Sequence, residues 1–171
     1  MSAVRADRVL LVGMMGAGKT TVGRQLHCLL GWPYFDNDVL LKRAVGKDTR
    51  AVQREDGEAA LRRAESAALD VALTEGGPLI AGVAAGVVLD PLDAQRLRAG
   101  GYVVWLRADL TTLARRVAGT DRPWLGDDPL ESLQKLNAGR DGLYESVASL
   151  VVDVDELPPE LIAARIAAHV T

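Results

Sequence analysis

The chain contains one cysteine, Cys28, and two histidines, His27 and His169. A lone thiol closes no internal disulfide, and so few Cys and His residues form no cluster at zinc-site spacing. A disulfide scaffold and a structural zinc domain are both excluded. Aromatic residues make up only 4% of the chain, and no apolar run reaches the 18 or so residues of a membrane span. Met1 to Asp7 lacks the long apolar segment of a secretory signal, so the sequence predicts a cytoplasmic protein without a membrane partner. Neither sign of charge dominates: 20 Lys+Arg against 23 Asp+Glu leave a net charge of -3. That balance offers no broad basic field to a nucleic-acid backbone, and no nucleic-acid partner is expected, although a local arginine group can still hold small phosphates.

With 49% apolar and 25% charged residues over 171 positions, the chain has an ordinary globular composition and suits a single domain, 1–171, that buries about 70% of its unfolded surface. Val9-Leu10-Leu11-Val12 is an apolar run ending at Gly13, and Lys19 to Leu30 follows with Val22, Leu26, Leu29 and Leu30 at helical spacing. Gly31-Trp32-Pro33 stops that helix, and Tyr34-Phe35 then leads as a second strand into Asp36-Asn37-Asp38. Helices are predicted over Asp56 to Leu73, Asp109 to Val117, Leu130 to Ala148 and Pro159 to Val170, with buried strands at Leu79 to Val83, Tyr102 to Leu106 and Leu150 to Val152. This alternation implies an α/β fold: a doubly wound, parallel, five-stranded sheet with helices on both faces and ligands at the carboxyl ends of its strands.

Gly13-Met14-Met15-Gly16-Ala17-Gly18-Lys19-Thr20 matches the P-loop pattern in full and lies between a predicted strand and a predicted helix. Its glycines let backbone N–H groups turn toward phosphate oxygens, with the positive end of the next helix adding attraction. Lys19 would neutralise charge on the outer phosphates, and the Thr20 hydroxyl would ligate Mg²⁺. Asp36 and Asp38 would point the same way if strand geometry persisted, one carboxylate supporting Mg²⁺ and the other taking the proton of an attacking hydroxyl. The plainer alternative is that Asp38 caps a helix beginning at Val39. Arg62 and Arg140 are candidate forks for an acceptor carboxylate, with Glu65 three residues from Arg62 as its orienting partner; taken singly, each arginine is also compatible with a solvated surface. The segment of about 118–129, with its glycines, prolines and charges, reads either as a lid carrying Arg122 or as a surface connection.

These landmarks together resemble the shikimate kinase family, a branch of the nucleoside-monophosphate-kinase-like P-loop proteins. The resemblance rests on GMMGAGKTTVGR up to Arg24, Asp36-Asn37-Asp38-Val39, Asp56-Gly57-Glu58 with Arg62 and Glu65, Arg122-Pro123, and Arg140 with Tyr144 and Ala148. It implies ATP-dependent phosphorylation of shikimate at its 3-hydroxyl, within the pathway to the aromatic amino acids, by an enzyme that is often monomeric. By the same resemblance, Gly13, Gly16, Ala17, Gly18, Lys19, Thr20, Thr21 and Arg116 serve ATP, with Arg116 on the adenine. Thr20 and Asp36 support Mg²⁺, and Asp38, Arg62, Gly86 and Arg140 hold the acceptor in a region of about 38–65 and beyond. Arg122 closes over the phosphates, and Lys19, Asp38 and Arg122 are the catalytic set.

Departures from the family pattern concentrate around the acceptor. A glycine triplet expected after the third strand reads Gly82-Val83-Ala84-Ala85-Gly86, Gln53 and Leu61 stand at aromatic positions, and Trp124 follows the lid Arg-Pro. An alanine forced to positive φ would add strain of order 1 kcal/mol, and its methyl would take ligand space. These differences keep a related acceptor open, and also a nucleotide-binding protein with little or no kinase turnover that acts through a partner.

Overall fold

The computed structural model describes residues 7–122 and 125–171. Residues 1–6, Pro123 and Trp124, the last two singled out in the sequence, lie outside the described residues. Five strands, β1 (Arg8–Val12), β2 (Tyr34–Phe35), β3 (Leu79–Gly82), β4 (Tyr102–Arg107) and β5 (Leu150–Asp153), form one parallel sheet in the order β2-β3-β1-β4-β5. Val9 to Val12 are buried, as are all four residues of β3 and the first five of β4. Strands without an exposed alternate face require cover on both sides, which the helices provide.

These helices are α1 (Lys19–Leu30), α2 (Asn37–Val45), α3 (Thr49–Asp56), α4 (Glu58–Thr74), α5 (Pro91–Gly100), α6 (Leu110–Val117), α7 (Pro129–Asn137), α8 (Arg140–Val147) and α9 (Pro159–Val170). α1 packs on α9, while α2 and α3 pack on α4 beside the β2 edge. The chain leaves central β1 toward β2 and β3 on one side, and later toward β4 and β5 on the other. The crevice at this reversal is where open α/β sheets bind ligands, and the loop after β1 opens into it.

Two sequence expectations about helix extent need correction. The helix foreseen from Asp56 starts at Glu58, because Gly57 turns the backbone to φ 87° and separates α3 from α4. The single helix foreseen over Leu130 to Ala148 is broken at Ala138-Gly139, where Gly139 takes φ 76°. Apolar periodicity continues across the break, but a left-handed residue cannot propagate a right-handed helix.

Glycines inside helices carry opposite packing burdens here. A Cβ on Gly23 in α1 would lie 2.2 Å from Cε2 of Tyr34, whereas one on Gly142 in α8 meets nothing within 4 Å. Gly23→Ala is therefore expected to destabilise the fold by about 1–3 kcal/mol through overpacking. Gly142→Ala should stabilise it by roughly 0.5–1 kcal/mol through helix propensity and reduced unfolded-chain entropy. Denaturant unfolding of both variants measures the two effects; equal signs would contradict this packing.

Candidate active site

β1 ends in a turn in which Gly13, Gly16 and Gly18 take φ of 143°, 84° and 95°. Gly18 precedes α1 without any side-chain cap, so the first-turn N–H groups of the helix are left for an anion. Ala17 is buried beneath the turn, while Thr20 and Thr21 are exposed at the start of α1. Lys19 folds back over the loop, and its Nζ donates to the Gly13 carbonyl at 2.6 Å and the Met14 carbonyl at 3.1 Å. Burial of the ammonium foremost, and then the positive charge of Arg122, lower its pKa from 10.5 to about 8. The charge of Arg122 thus reaches the P-loop lysine. Arg116 donates to the Gly16 carbonyl and to the Val154 carbonyl, both at 3.2 Å, bracing the loop from its far side.

Lys19, Thr20, Tyr34, Asp36, Asn37, Asp38 and Gly82 border one cleft. The strand geometry assumed for the paired acids ends at Phe35, one residue before Asp36. Asp36 itself, not Asp38, caps α2: its backbone is extended and its Oδ1 accepts from the Val39 N–H at 2.9 Å. Asp38 lies in the first helical turn and accepts a hydrogen bond from the Thr49 hydroxyl. The helix starts two residues earlier than the capping alternative supposed, yet both carboxylates still face the cleft. Magnesium takes one or two carboxylates beside substrate phosphates and keeps several waters. The Thr20 hydroxyl and the Asp36 oxygen not engaged in capping fit that demand.

The second half of the site lies behind the P-loop. Arg140, at the first position of α8, is 5% exposed although charged. Among the described residues its guanidinium donates only to Met14 Sδ, at 3.8 Å. Arg62 on α4 donates to Glu65 Oε2 at 2.8 Å, the orienting pair read from the sequence. Burial raises the Glu65 pKa, against opposing pulls from Arg62 and, less, from Arg140. Gly86 is needed for proximity and not for backbone freedom: its φ is -87°, but a Cβ there would lie 1.9 Å from Arg62 Nη1.

The expected strain at Ala84 and Ala85 is absent, since no described non-glycine residue has positive φ. Ala84 is packed into the hydrophobic core, and the Ala85 carbonyl accepts from the Tyr144 hydroxyl at 2.7 Å. Leu61, at one of the aromatic positions, is likewise a core residue. Tyr144 stacks on Trp105 at 5.6 Å between ring centroids, and burial pushes its phenol up to about 12.

Sequence reasoning missed three contributors. Met14 joins the two halves, because its carbonyl accepts from Lys19 and its sulfur from Arg140, with the Tyr144 hydroxyl in contact with the same sulfur at 3.7 Å. Nothing in the sequence marks a P-loop methionine for this role. Arg50 on α3 holds Asp121 of the lid segment through its carboxylate at 2.5 Å and its carbonyl at 3.0 Å. Tyr34 was read only as an apolar strand residue, although its position two before Asp36 put it on the same face by strand alternation.

Comparison with known proteins adds an independent line. The family model for shikimate kinase matches residues 15–171. A shikimate kinase of Paramagnetospirillum magneticum is 38% identical over 152 residues, covering 88% of this chain and 77% of the relative. One from Pseudomonas savastanoi pv. phaseolicola is 36% identical over 163 residues, covering 94% of each. Among solved structures, shikimate kinase from Acinetobacter baumannii in complex with shikimate superposes with a TM-score of 0.86 at 30% identity, covering 94% of this chain and 90% of that one. A gluconokinase from Sinorhizobium meliloti, at TM-score 0.63 and 19% identity, shares the fold. With a family model spanning most of its length and relatives at this identity, the chain belongs to the shikimate kinase family, kinases whose phosphoryl acceptor is a hydroxyl group.

Proposed function

We propose that this chain transfers the γ-phosphoryl group of ATP to the 3-hydroxyl of shikimate, or of a closely related carboxylated polyol. The observation that carries the reading is the junction at Met14, where an anion-binding loop and the buried Arg140 share one residue. The A. baumannii relative solved with shikimate supports the acceptor class. Shikimate-pathway enzymes serve aromatic amino acid biosynthesis, and this is the physiological role proposed here.

Loop amides of Gly13, Gly16, Ala17 and Gly18, with Thr21 beyond them, cradle the phosphates, and Arg116 flanks the adenine. Lys19 leaves its two carbonyls for the β- and γ-phosphate oxygens, and Arg122 closes over them from the lid. Thr20 and Asp36 would hold Mg²⁺, which when bound would neutralise negative charge on the nucleotide phosphates. Arg62 and Arg140 clasp the acceptor carboxylate, with Gly86 providing the close floor beside Arg62. Asp38, positioned by Thr49, accepts the proton of the attacking hydroxyl as that oxygen bonds to the γ-phosphorus. The bond to the β–γ bridging oxygen then breaks, and ADP carries away its electron pair.

The reading without turnover drew its support from the altered glycine triplet, and the ordinary backbone at Ala84 and Ala85 weighs against it. A single domain over 1–171 that acts as a cytoplasmic monomer on small molecules, without nucleic acid or membrane, completes the proposal. Its support is a net charge of -3 and, among the described residues, no helix long and apolar enough to cross a membrane.

Arg62→Ala and Arg140→Lys should raise KM for shikimate by about 10–100-fold, the loss of charge-assisted bonds at roughly 1.5–3 kcal/mol, while leaving the Kd for ATP within about twofold. Steady-state kinetics beside nucleotide titration reads both quantities; an equal loss of both would contradict separate sites. Asp38→Asn should cut kcat by about 100-fold or more with ATP affinity retained, as measured by a coupled assay for ADP.

Lys19 predicts a pH dependence. Its folded pKa of about 8 lies below 10.5, so the charged form is disfavoured in the ligand-free fold. That cost is present below about pH 8 and is relieved as pH rises toward 10.5. Phosphate favours the charged form, so nucleotide binding at pH 8 should take up about half a proton, and affinity should fall as pH rises above 8. Calorimetric titration in buffers of different ionisation enthalpy measures the uptake; proton release would contradict this assignment.

A further inference from the structure

Tyr34 contributes a polar group that the proposed chemistry leaves without a task. Its ring is clamped against Gly23 at the point where a Cβ would meet Cε2 at 2.2 Å, and its hydroxyl lies 3.0 Å from the Cβ direction of Gly82. The ring is therefore held between α1 and β3, in the wall of the cleft that Lys19, Thr20, Asp36 and Asp38 also border. Its Oη is buried and makes no hydrogen bond among the described residues. The Thr20 side chain lies beside it, and the charge of Asp36 is felt there. Buried hydroxyls are nearly always paired, and an unpaired one costs stability unless something else in the working cycle uses it.

A threonine hydroxyl has one hydrogen and two lone pairs. When its oxygen gives a lone pair to a cation, its hydrogen must point away from the metal and needs an acceptor. We propose that Tyr34 is a positioning residue for the metal-bound nucleotide: its Oη accepts the Thr20 hydrogen, fixing the Thr20 rotamer with a lone pair aimed at Mg²⁺. Tyr34 donates its own hydrogen toward Asp36, so the chain of hydroxyls ends in a charge-assisted bond to a carboxylate. A phenylalanine would fill the same space between Gly23 and Gly82 and lack only this function. The inference rests on the reading of Thr20 as a magnesium-facing residue, and the test separates the two.

Tyr34→Phe, Thr20→Ala and the double variant are compared with the wild type by titrating the nonhydrolysable analogue AMP-PNP with Mg²⁺ and with EDTA, alongside thermal unfolding of the ligand-free proteins. In Tyr34→Phe the metal-free affinity is expected to stay within twofold, the enhancement by Mg²⁺ to fall about three- to tenfold, and the ligand-free Tm to be unchanged or higher. The double variant should lose no more enhancement than Thr20→Ala alone. Full enhancement in Tyr34→Phe while Thr20→Ala loses it overturns the role of Tyr34 and leaves that of Thr20 intact. Equal loss with and without metal assigns Tyr34 to packing and also overturns the proposal. Full enhancement in Thr20→Ala overturns the underlying reading, and the Tyr34 role with it.

Discussion

The turn between β1 and α1 must serve two sites at once. Facing the cleft, its left-handed glycines free backbone amides for an anion while Lys19 rests on the Gly13 and Met14 carbonyls. Facing the interior, the Met14 sulfur accepts from Arg140 and touches the Tyr144 hydroxyl. Displacing this turn would therefore alter the phosphate cradle and the Arg140 contact together. Because it hangs from the central strand of a sheet buried on both faces, the turn has little freedom to move. Catalysis by positioning needs such a fixed reference, since errors of about 1 Å are costly.

Both halves of the site hold positive charge at a cost. The Lys19 ammonium is desolvated and feels the charge of Arg122, which is why its proton is loosely held. Arg140 is almost fully buried, and Glu65 feels its charge less than that of Arg62. Arg62 also has Glu58 at 3.5 Å, whereas Arg140 has no carboxylate within ion-pair distance among the described residues, so it is the Arg140 charge that a bound carboxylate would neutralise. Uncompensated buried charge is unfavourable in the free protein and becomes favourable once the matching anion arrives. The electrostatic strain in the ligand-free state thus corresponds to the selectivity proposed for the complex: a phosphate chain on one side and an organic acid on the other.

The segment proposed as a lid is tied to α3, which also holds Asp38. Asp38 accepts from Thr49, the next residue Arg50 holds Asp121, and Arg122 follows directly. The Arg50 contact is exposed and its energy is accordingly modest. Its value is geometric, since it joins α3 to the segment bearing Arg122.

Much of this protein was legible in its residues. The Gly13 to Thr20 pattern set between a strand and a helix named the phosphate site, because backbone curvature and charge at that spacing have few other uses. Alternating apolar runs foretold a parallel sheet, and Arg62 with Glu65 declared its pairing through helical spacing alone. Other features depended on contacts between residues far apart in the chain. Only the tertiary structure showed that Ala84 and Ala85 carry no backbone strain, that Asp36 takes the cap, and that Gly139 divides a periodic segment so that Arg140 begins a new helix facing inward. Local periodicity reports which face of an element is apolar; the partner a buried polar group will meet, as Met14 meets Arg140 across 126 residues, is set by how the elements pack.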